Sequence, residues 1–278
     1  MPVLTSIHVY PVKSLAGMSP DSWPLGRRGL EFDRRWMLVD ENGRFISQRE
    51  SSSLAMLQAE VGPSGLKIYD RRGRMQDLII PMARAQSGAP MEVTIWKDTV
   101  TGLQVGMEVD RWFQEALDRL CFLVYMPEST LRAVDPTYAQ PEDVTGFSDG
   151  FPFLIAQQAS LDDLNRRLSE PVEMRRFRPN LVISGGNAWE EDTWERVQIG
   201  ANSFRTPKPC ARCEIITIDP GTGEQGKEPL RTLAGFRQWN NKVLFGANAC
   251  LDLETLENEP AIIRVGDSFA VRSRTTSL

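Results

Sequence analysis

Lys208-Pro-Cys-Ala-Arg-Cys-Glu-Ile-Ile-Thr-Ile-Asp-Pro-Gly-Thr-Gly223 is the stretch from which the chain is best read. Two of the four cysteines, Cys210 and Cys213, stand in it beside Arg212. Its second half alternates, with Ile215, Thr217 and Asp219 on one face and Ile216 and Ile218 on the other. That period of two predicts a strand over Cys213–Ile218, stopped by the turn residues Pro220-Gly-Thr-Gly223. The cysteines then lie where a core strand begins, and a rigid element of that kind can hold a reactive sulfur in one place.

Outward from this stretch, short apolar runs recur between Gly, Pro and Asp. In the first half they are residues 4–12, Trp36–Val39, Arg44–Ser47, Leu66–Tyr69, Leu78–Ile80, Glu92–Lys97, Gly102–Val105 and Phe122–Met126. Asn42-Gly43 between two of them signals a hairpin. In the second half they are Leu181 to Ser184, Val197–Ile199, Ile262–Val265 and Phe269–Val271. Short strands at such spacing predict a sandwich or small barrel and argue against a dinucleotide-binding sheet. Helical periodicity occurs twice. Val109, Trp112, Phe113, Ala116, Leu117 and Leu120 form one stripe, and Leu161, Leu164 and Leu168 form another behind Ser160 and Asp163, which have capping-box spacing. The segment 127–146 carries Pro127, Pro136 and Pro141 without a period and is expected to be a linker. The chain is therefore expected to be α+β and β-rich, with one domain over 1–126 and a second over 147–278.

The totals narrow the chemistry. A net charge of −5 over 278 residues excludes a general nucleic-acid binder, and no run of about 18 apolar residues offers a membrane span. Four scattered cysteines do not make a disulfide framework, so a reducing compartment, the cytoplasm, is expected. The single histidine, His8, alternates with Ile7 and Val9 as a strand residue would, and leaves serine–histidine hydrolysis and multi-histidine metal sites without their parts.

Two constellations remain. Cys210-Ala-Arg-Cys213 is half of a tetrahedral zinc site with no second half, and it does not open a helix as a redox dithiol should. One buried and one incidental cysteine is the bland alternative. Lys208 and Arg212 nearby favour a thiolate, the form that binds soft or high-valent metals. The second constellation is basic residues beside strand ends: Lys13 with Ser14, Arg34 with Arg35, and Arg175, Arg176 and Arg178 with Asn180. In an acidic chain without a GxGxxG or GxxxxGKS loop, these could hold a phosphate by side chains. Asp149, Asp192 and Asp219 could do proton work.

Tyr10-Pro-Val-Lys-Ser14, Asp33-Arg-Arg-Trp36, Ser148-Asp-Gly-Phe-Pro-Phe-Leu-Ile155, Phe177-Arg-Pro-Asn180 and Pro209-Cys-Ala-Arg-Cys213, in this order over nearly the whole chain, resemble the MOSC family with its N-terminal β-barrel domain. The resemblance extends to the mitochondrial amidoxime reducing component and its bacterial homologues. It implies a MOSC-type β-barrel with flanking helices after an N-terminal β-barrel domain. It further implies a molybdenum cofactor in its molybdopterin form, with Cys213 as the protein ligand of the metal. Lys13, Ser14, Arg34, Asp149, Gly150, Phe151, Arg178 and Asn180 match cofactor-contacting positions. Arg34 is preferred to Arg35 because it directly follows Asp33. Gly150 and Phe151 stand where relatives carry hydroxyl residues.

The activity implied is reduction of small N-hydroxylated compounds such as amidoximes and hydroxylamines, with Cys213 and Asp149 as catalytic residues. The chain ends at Leu278 without a four-cysteine ferredoxin-like extension, so electrons are expected from a separate flavin, haem or iron–sulfur donor protein. Neither nucleic acid nor membrane is an expected partner, and no N-terminal anchoring segment is expected. The alternatives are a sulfur-carrier or cofactor-delivery module bearing a Cys213 persulfide, and a β-rich interaction module with incidental cysteines. The site is expected at the seam between the two halves.

Overall fold

The computed structural model describes residues 1–257 and 261–275. Its largest sheet runs, neighbour by neighbour, Val3–Ile7, Leu181–Ser184, Phe153–Gln157, Lys242–Leu251, Asn202–Arg212, Trp194–Ile199 and Phe269–Arg274, with Gln238–Trp239 as a short flap on Lys242–Leu251. Its two edges meet through a bridge between Val3 and Ser268 and hydrogen bonds from Leu4 N to Asp267 O and Phe269 N to Pro2 O. Curling a sheet until its edges pair removes the exposed edge strands that invite aggregation. Phe153, Ile155, Leu181, Val197, Phe204 and Phe269 fill the inside together with Leu4 and Ile7. The first strand of the chain is thus part of the sheet otherwise built from residues 153–274.

The first half holds a four-stranded sheet, Trp36–Val39, Phe122–Tyr125, Asp98–Gln104 and Ala89–Ile95 in that order. The segment at Arg44–Phe45 bridges Thr94 on one side and Val39 on the other, closing a small barrel around Met37, Val93, Val124 and Phe147. The Asn42-Gly43 turn makes this possible: Gly43 donates to Asp40 O at 3.0 Å with φ 73°, a conformation that suits glycine. Beside it lies a three-stranded sheet, Leu57–Gly62, Gly65–Asp70 and Leu78–Ile80, packed with the helix Met107–Leu117. The fold is β-rich α+β with few helices, as expected. The stretch 127–146 contains no strand or helix, but it is packed, with Arg132, Val134, Asp143 and Val144 buried.

Three local expectations are corrected. The strand of the opening stretch is Asn202–Arg212, before the second cysteine, and Glu214–Thr217 is a 3-10 helix. The partner strand Lys242–Leu251 begins opposite Arg212, where Val243 pairs with it, so residues beyond Arg212 have no ladder to join. Ile216 instead drops into a cluster with Phe177, Leu233 and Phe245, and the Thr217 hydroxyl closes the turn on Glu214 O at 2.7 Å. Cys213 therefore follows a strand rather than opening one. Ser160 does not cap its helix, which starts at Gln158 directly after a strand; the hydroxyl donates to Glu191 at 2.8 Å and accepts from Trp189 N at 2.7 Å. Finally, the strand expected over residues 4–12 ends at Ile7, after which the chain leaves the large sheet.

That departure positions the cleft. From Ile7 the chain runs through a bridge of Val9 to Met18, then bridges Val12 to Trp36 and Ala16 to Gln58 in the first half. Lys13 and Ser14 consequently lie on the connection between the two halves.

Candidate functional site

A cleft of about 420 Å³ opens at that seam. The structure brings every sequence-expected site residue to its lining: Lys13, Ser14, Arg34, Asp149, Gly150, Phe151, Arg178, Asn180 and Cys213. Cys210 and Lys208 also reach it. Seven basic side chains line it against one carboxylate, Asp149, in a protein whose net charge is −5. Low-dielectric walls concentrate such a field, so the cleft favours an anion.

Lys13 is 6% exposed, and its ammonium donates to Asp149 Oδ1 at 2.6 Å. Burial lowers the Lys13 proton affinity, and Asp149 opposes that effect. Asp149 leaves 68% of its side chain open to the cleft. Desolvation there opposes its ionisation, but Lys13, with Arg34 and a hydrogen bond from Trp96, prevails and holds the carboxyl well below the usual carboxylate range. An acid so placed is ionised at neutral pH and is a poor proton donor. Its evident work is to hold Lys13. Arg132, in the 127–146 stretch, donates to the carbonyls of Gly146, Ser148 and Asp149 and pairs with Asp98 at 2.8 Å, fixing the loop that presents Asp149 and Gly150.

Arg34 and Arg178 hold left-handed backbone, φ 48° and 54°, and so does Ser14 at 70°. Such residues cost about 1–3 kcal/mol each and persist where the surroundings over-determine them, commonly at functional sites. Both guanidiniums lie 4.3 Å from the ring of Tyr10. Arg34 is tethered to Asp33 at 2.5 Å and to Arg178 O at 3.2 Å. The Arg178 guanidinium has no hydrogen-bonded protein partner among the described residues, and burial, with Arg34 adding repulsion, pulls it down to about 10, still cationic at neutral pH. Arg35 points the other way, to Met126 O at 2.6 Å and to Glu128 at 2.6 Å.

Asn180 is 2% exposed; its Oδ1 accepts from Leu154 N at 3.1 Å and its Nδ2 donates to His8 O at 3.2 Å. It clasps the N-terminal segment to the large sheet. A Cβ at Gly150 would meet nothing within 4 Å, so a ligand can approach the backbone there.

Cys213 is exposed, Cys210 half-buried. Arg212 donates to Cys210 Sγ at 3.0 Å and to Phe177 O at 2.7 Å, while the Lys208 ammonium sits 4.0 Å from the ring of Tyr138. Strand and extended backbone connect the two cysteines. Three extended steps span roughly 10 Å, beyond the roughly 7 Å between Cα atoms that a disulfide tolerates. They do not work as a dithiol in this conformation. No group of three or more His, Cys, Asp or Glu among the described residues is arranged to hold a metal ion. Gln48, which donates to Ser14 O at 2.6 Å, and Arg49, stacked 4.6 Å from Trp96, line the cleft without any signal in the sequence. No helix among the described residues is long and apolar enough to cross a membrane.

Comparison with known proteins matches two family domains in succession along the chain. The MOSC domain matches residues 142–270, and the MOSC N-terminal beta barrel domain matches residues 1–119. Mitochondrial amidoxime-reducing component 1 of Mus musculus is 30% identical over 279 residues, covering 95% of this chain and 80% of that protein. Mitochondrial amidoxime reducing component 2 of Rattus norvegicus is 31% identical over 278 residues, covering 95% and 81%. A molybdenum cofactor sulfurase of Oryza sativa subsp. japonica is 32% identical over 264 residues, covering 87% of this chain and 32% of its own length. The chain thus spans about a third of the length of such a sulfurase. With motif order, fold and two relatives matched over about four fifths of their length in agreement, the chain belongs to the MOSC family, an N-terminal beta barrel domain followed by a MOSC domain.

Proposed function

We propose that this protein is a molybdenum-cofactor-dependent oxidoreductase that reduces N-hydroxylated compounds with electrons from a separate donor protein. The observation that carries the reading is the exposed Cys213 thiol in a cleft with seven basic side chains and one carboxylate, drawn from both halves of the chain. The residues fit a phosphorylated pterin with a thiolate-ligated metal. Lys13, Arg34 and the unbonded guanidinium of Arg178 would hold the phosphate, and the open backbone at Gly150 admits the pterin. Cys213 would supply the protein's metal ligand. Ser14 and Phe151 complete the walls, and Asn180 fixes the seam from behind.

When bound, the cofactor would supply two-electron oxygen-atom chemistry, by which an amidoxime, two protons and two electrons give an amidine and water. The protein's share is to bind, orient and tune. Asp149 keeps Lys13 charged toward the phosphate, and the protons come from solvent or from a group other than Asp149.

The test is metal and pterin analysis of protein expressed with a working cofactor pathway, with benzamidoxime reduction assayed under a chemical reductant. Stoichiometric molybdenum and pterin with turnover, both lost in Cys213→Ser while the fold persists, is the expected result. Activity that survives Cys213→Ser sinks the reading. The identity to molybdenum cofactor sulfurases favours a second reading, in which Cys213 carries a persulfide for cofactor maturation. Labile sulfur on Cys213 without molybdenum or pterin would select it.

A further inference from the structure

Behind Arg178 lies a second, smaller cavity of about 130 Å³, lined on one side by Tyr10, Gln58 and Arg71 of the first half and on the other by Arg175, Arg176 and Ile218 of the second. Arg178 belongs to both cavities. Among the described residues, four guanidiniums face this small space and no carboxylate lines it. Outside the cavity, Glu173 pairs with Arg175, and Asp219 pairs with Arg176 at 2.6 Å. Arg71 and Arg178 have no carboxylate partner within ion-pair distance among the described residues, so two positive charges are left over. Arg71 instead donates to the carbonyls of Ala55, at 3.1 Å, and Pro220. Burial and repulsion from Arg175 both lower its proton affinity, the mark of like charges crowded together.

An independent observation points the same way. Tyr10 is 4% exposed, lines this cavity, and its hydroxyl has no partner among the described residues. Buried hydroxyls left unpaired cost about 1–3 kcal/mol, and native proteins rarely leave them so. The Nε of Arg71 and the Nε of Arg176 are likewise buried without partners. An unpartnered phenol hydroxyl with guanidiniums around it, two of them with an unpartnered Nε, is a surplus of donors, and the acceptor that suits it is an oxyanion. His8, also on the wall, is pushed down to about 4 by burial and Arg34, and so adds no charge at neutral pH.

We propose that this cavity is a second anion site that binds one phosphate-class tetrahedral oxyanion between Arg71, Arg175 and Arg176, with Tyr10 as hydroxyl donor and Arg178 shared with the main cleft. The volume admits a single phosphate and not a nucleotide, since small-molecule pockets for larger ligands run from about 300 Å³ upward. Because Arg71 follows the strand Gly65–Asp70 and the other arginines belong to the turn Met174–Phe177 and the residue after it, the anion would tie the two halves together. Occupancy here would also set the position of Arg178 before anything enters the main cleft.

The experiment is calorimetric titration of inorganic phosphate into the full chain purified from a host unable to make the pterin. Two equivalents are expected. Arg71→Met should weaken one at least about tenfold, as loss of a charge-assisted contact does, and Lys13→Met should remove the other. Tyr10→Phe, which removes only one oxygen, should weaken the Arg71-dependent equivalent about fivefold and serves if Arg71→Met does not fold. Two unaltered equivalents in Arg71→Met, or in Tyr10→Phe where that variant stands in, overturn the proposal. If instead Lys13→Met leaves both, the cofactor reading of the main cleft loses its support and the second site stands. Titration of cofactor-loaded protein identifies the source of the anion. Arg71-dependent binding that persists there means a free oxyanion; its disappearance, with cofactor lost from Arg71→Met, means that the phosphate belongs to the cofactor.

Discussion

At the scale of single residues, the four cysteines separate by environment. Cys121 and Cys250 are 0% and 1% exposed, and burial pushes both thiols up to about 12. Cys213 is exposed and Cys210 half-buried in the cleft, where Arg212 approaches its sulfur. Iodoacetamide at pH 8 is therefore expected to label two thiols in the native, cofactor-free protein and four after denaturation, read by intact mass. Native labelling of Cys121 or Cys250 would mean that the packing around them is wrong. Asp149 gives a second prediction. Its carboxyl is held well below the usual carboxylate range, so Asp149→Asn should leave the shape of the pH–activity profile around neutral pH unchanged and lower cofactor retention, because Lys13 loses its counter-charge. A missing limb in the Asn variant's profile would restore Asp149 as a proton donor.

At the scale of elements, what could be read ahead of the structure depended on whether an element's partner was visible in its own residues. The hairpin at Asn42-Gly43, the strand Trp36–Val39 and the stripe on Met107–Leu117 carry local signals and are present, while the run over residues 4–12 stops at Ile7 and Arg44–Ser47 is reduced to bridges at Arg44 and Phe45. The stretch Cys213–Ile218 carried the same alternation but lacks a pairing strand, which only the register of Lys242–Leu251 reveals. Of the basic residues beside strand ends, Lys13, Arg34 and Arg178 reach one cleft, whereas Arg35 turns to Met126 O and Arg175 and Arg176 line the smaller cavity. Gln48 and Arg49 reach the cleft, and Arg132 braces the loop that presents Asp149, by long-range packing, for which no local pattern exists.

The short turn Glu190–Thr193 behind the strand Phe153–Gln157 carries a further consequence. Glu191 is 1% exposed, and burial, with Asp192 adding and Ser160 opposing, raises its carboxyl to about 7. An acid favoured in its neutral form by the fold contributes stability that is complete below its ordinary value of 4.5 and is lost as pH rises through about 7. Glu191→Gln should therefore be more stable than the parent at pH 8 by about 3 kcal/mol and close to it at pH 4.5, measured by urea unfolding. An equal difference at both pH values would show that folding leaves the proton affinity of this carboxyl unchanged.

At the scale of the molecule, the sequence divides near residues 127–146 and the hydrogen bonding does not follow that division. Val3–Ile7 pairs with Leu181–Ser184, and the Val3–Ser268 bridge closes the same sheet. Asn180 holds His8 O, and Arg34 holds Arg178 O, so the cleft exists only when the first residues of the chain lie against the second half. A fragment of residues 142–275, which contains the matched MOSC domain, would lack Leu4, Ile7 and Val9, each 0% exposed in the whole chain. Burying a side chain of this kind contributes about 1.5–3 kcal/mol. Three of them approach the about 5–15 kcal/mol that separates a native domain from its unfolded chain. The unpaired edge of Leu181–Ser184 would add an aggregation site. The fragment alone is expected to show no cooperative thermal transition. Adding a peptide of residues 1–12, or fusing those residues ahead of position 142 through a flexible linker, should restore one. Cooperative melting of the bare fragment would instead mean that the sheet closes without its first strand, and that the cleft is assembled by docking two independently folded halves.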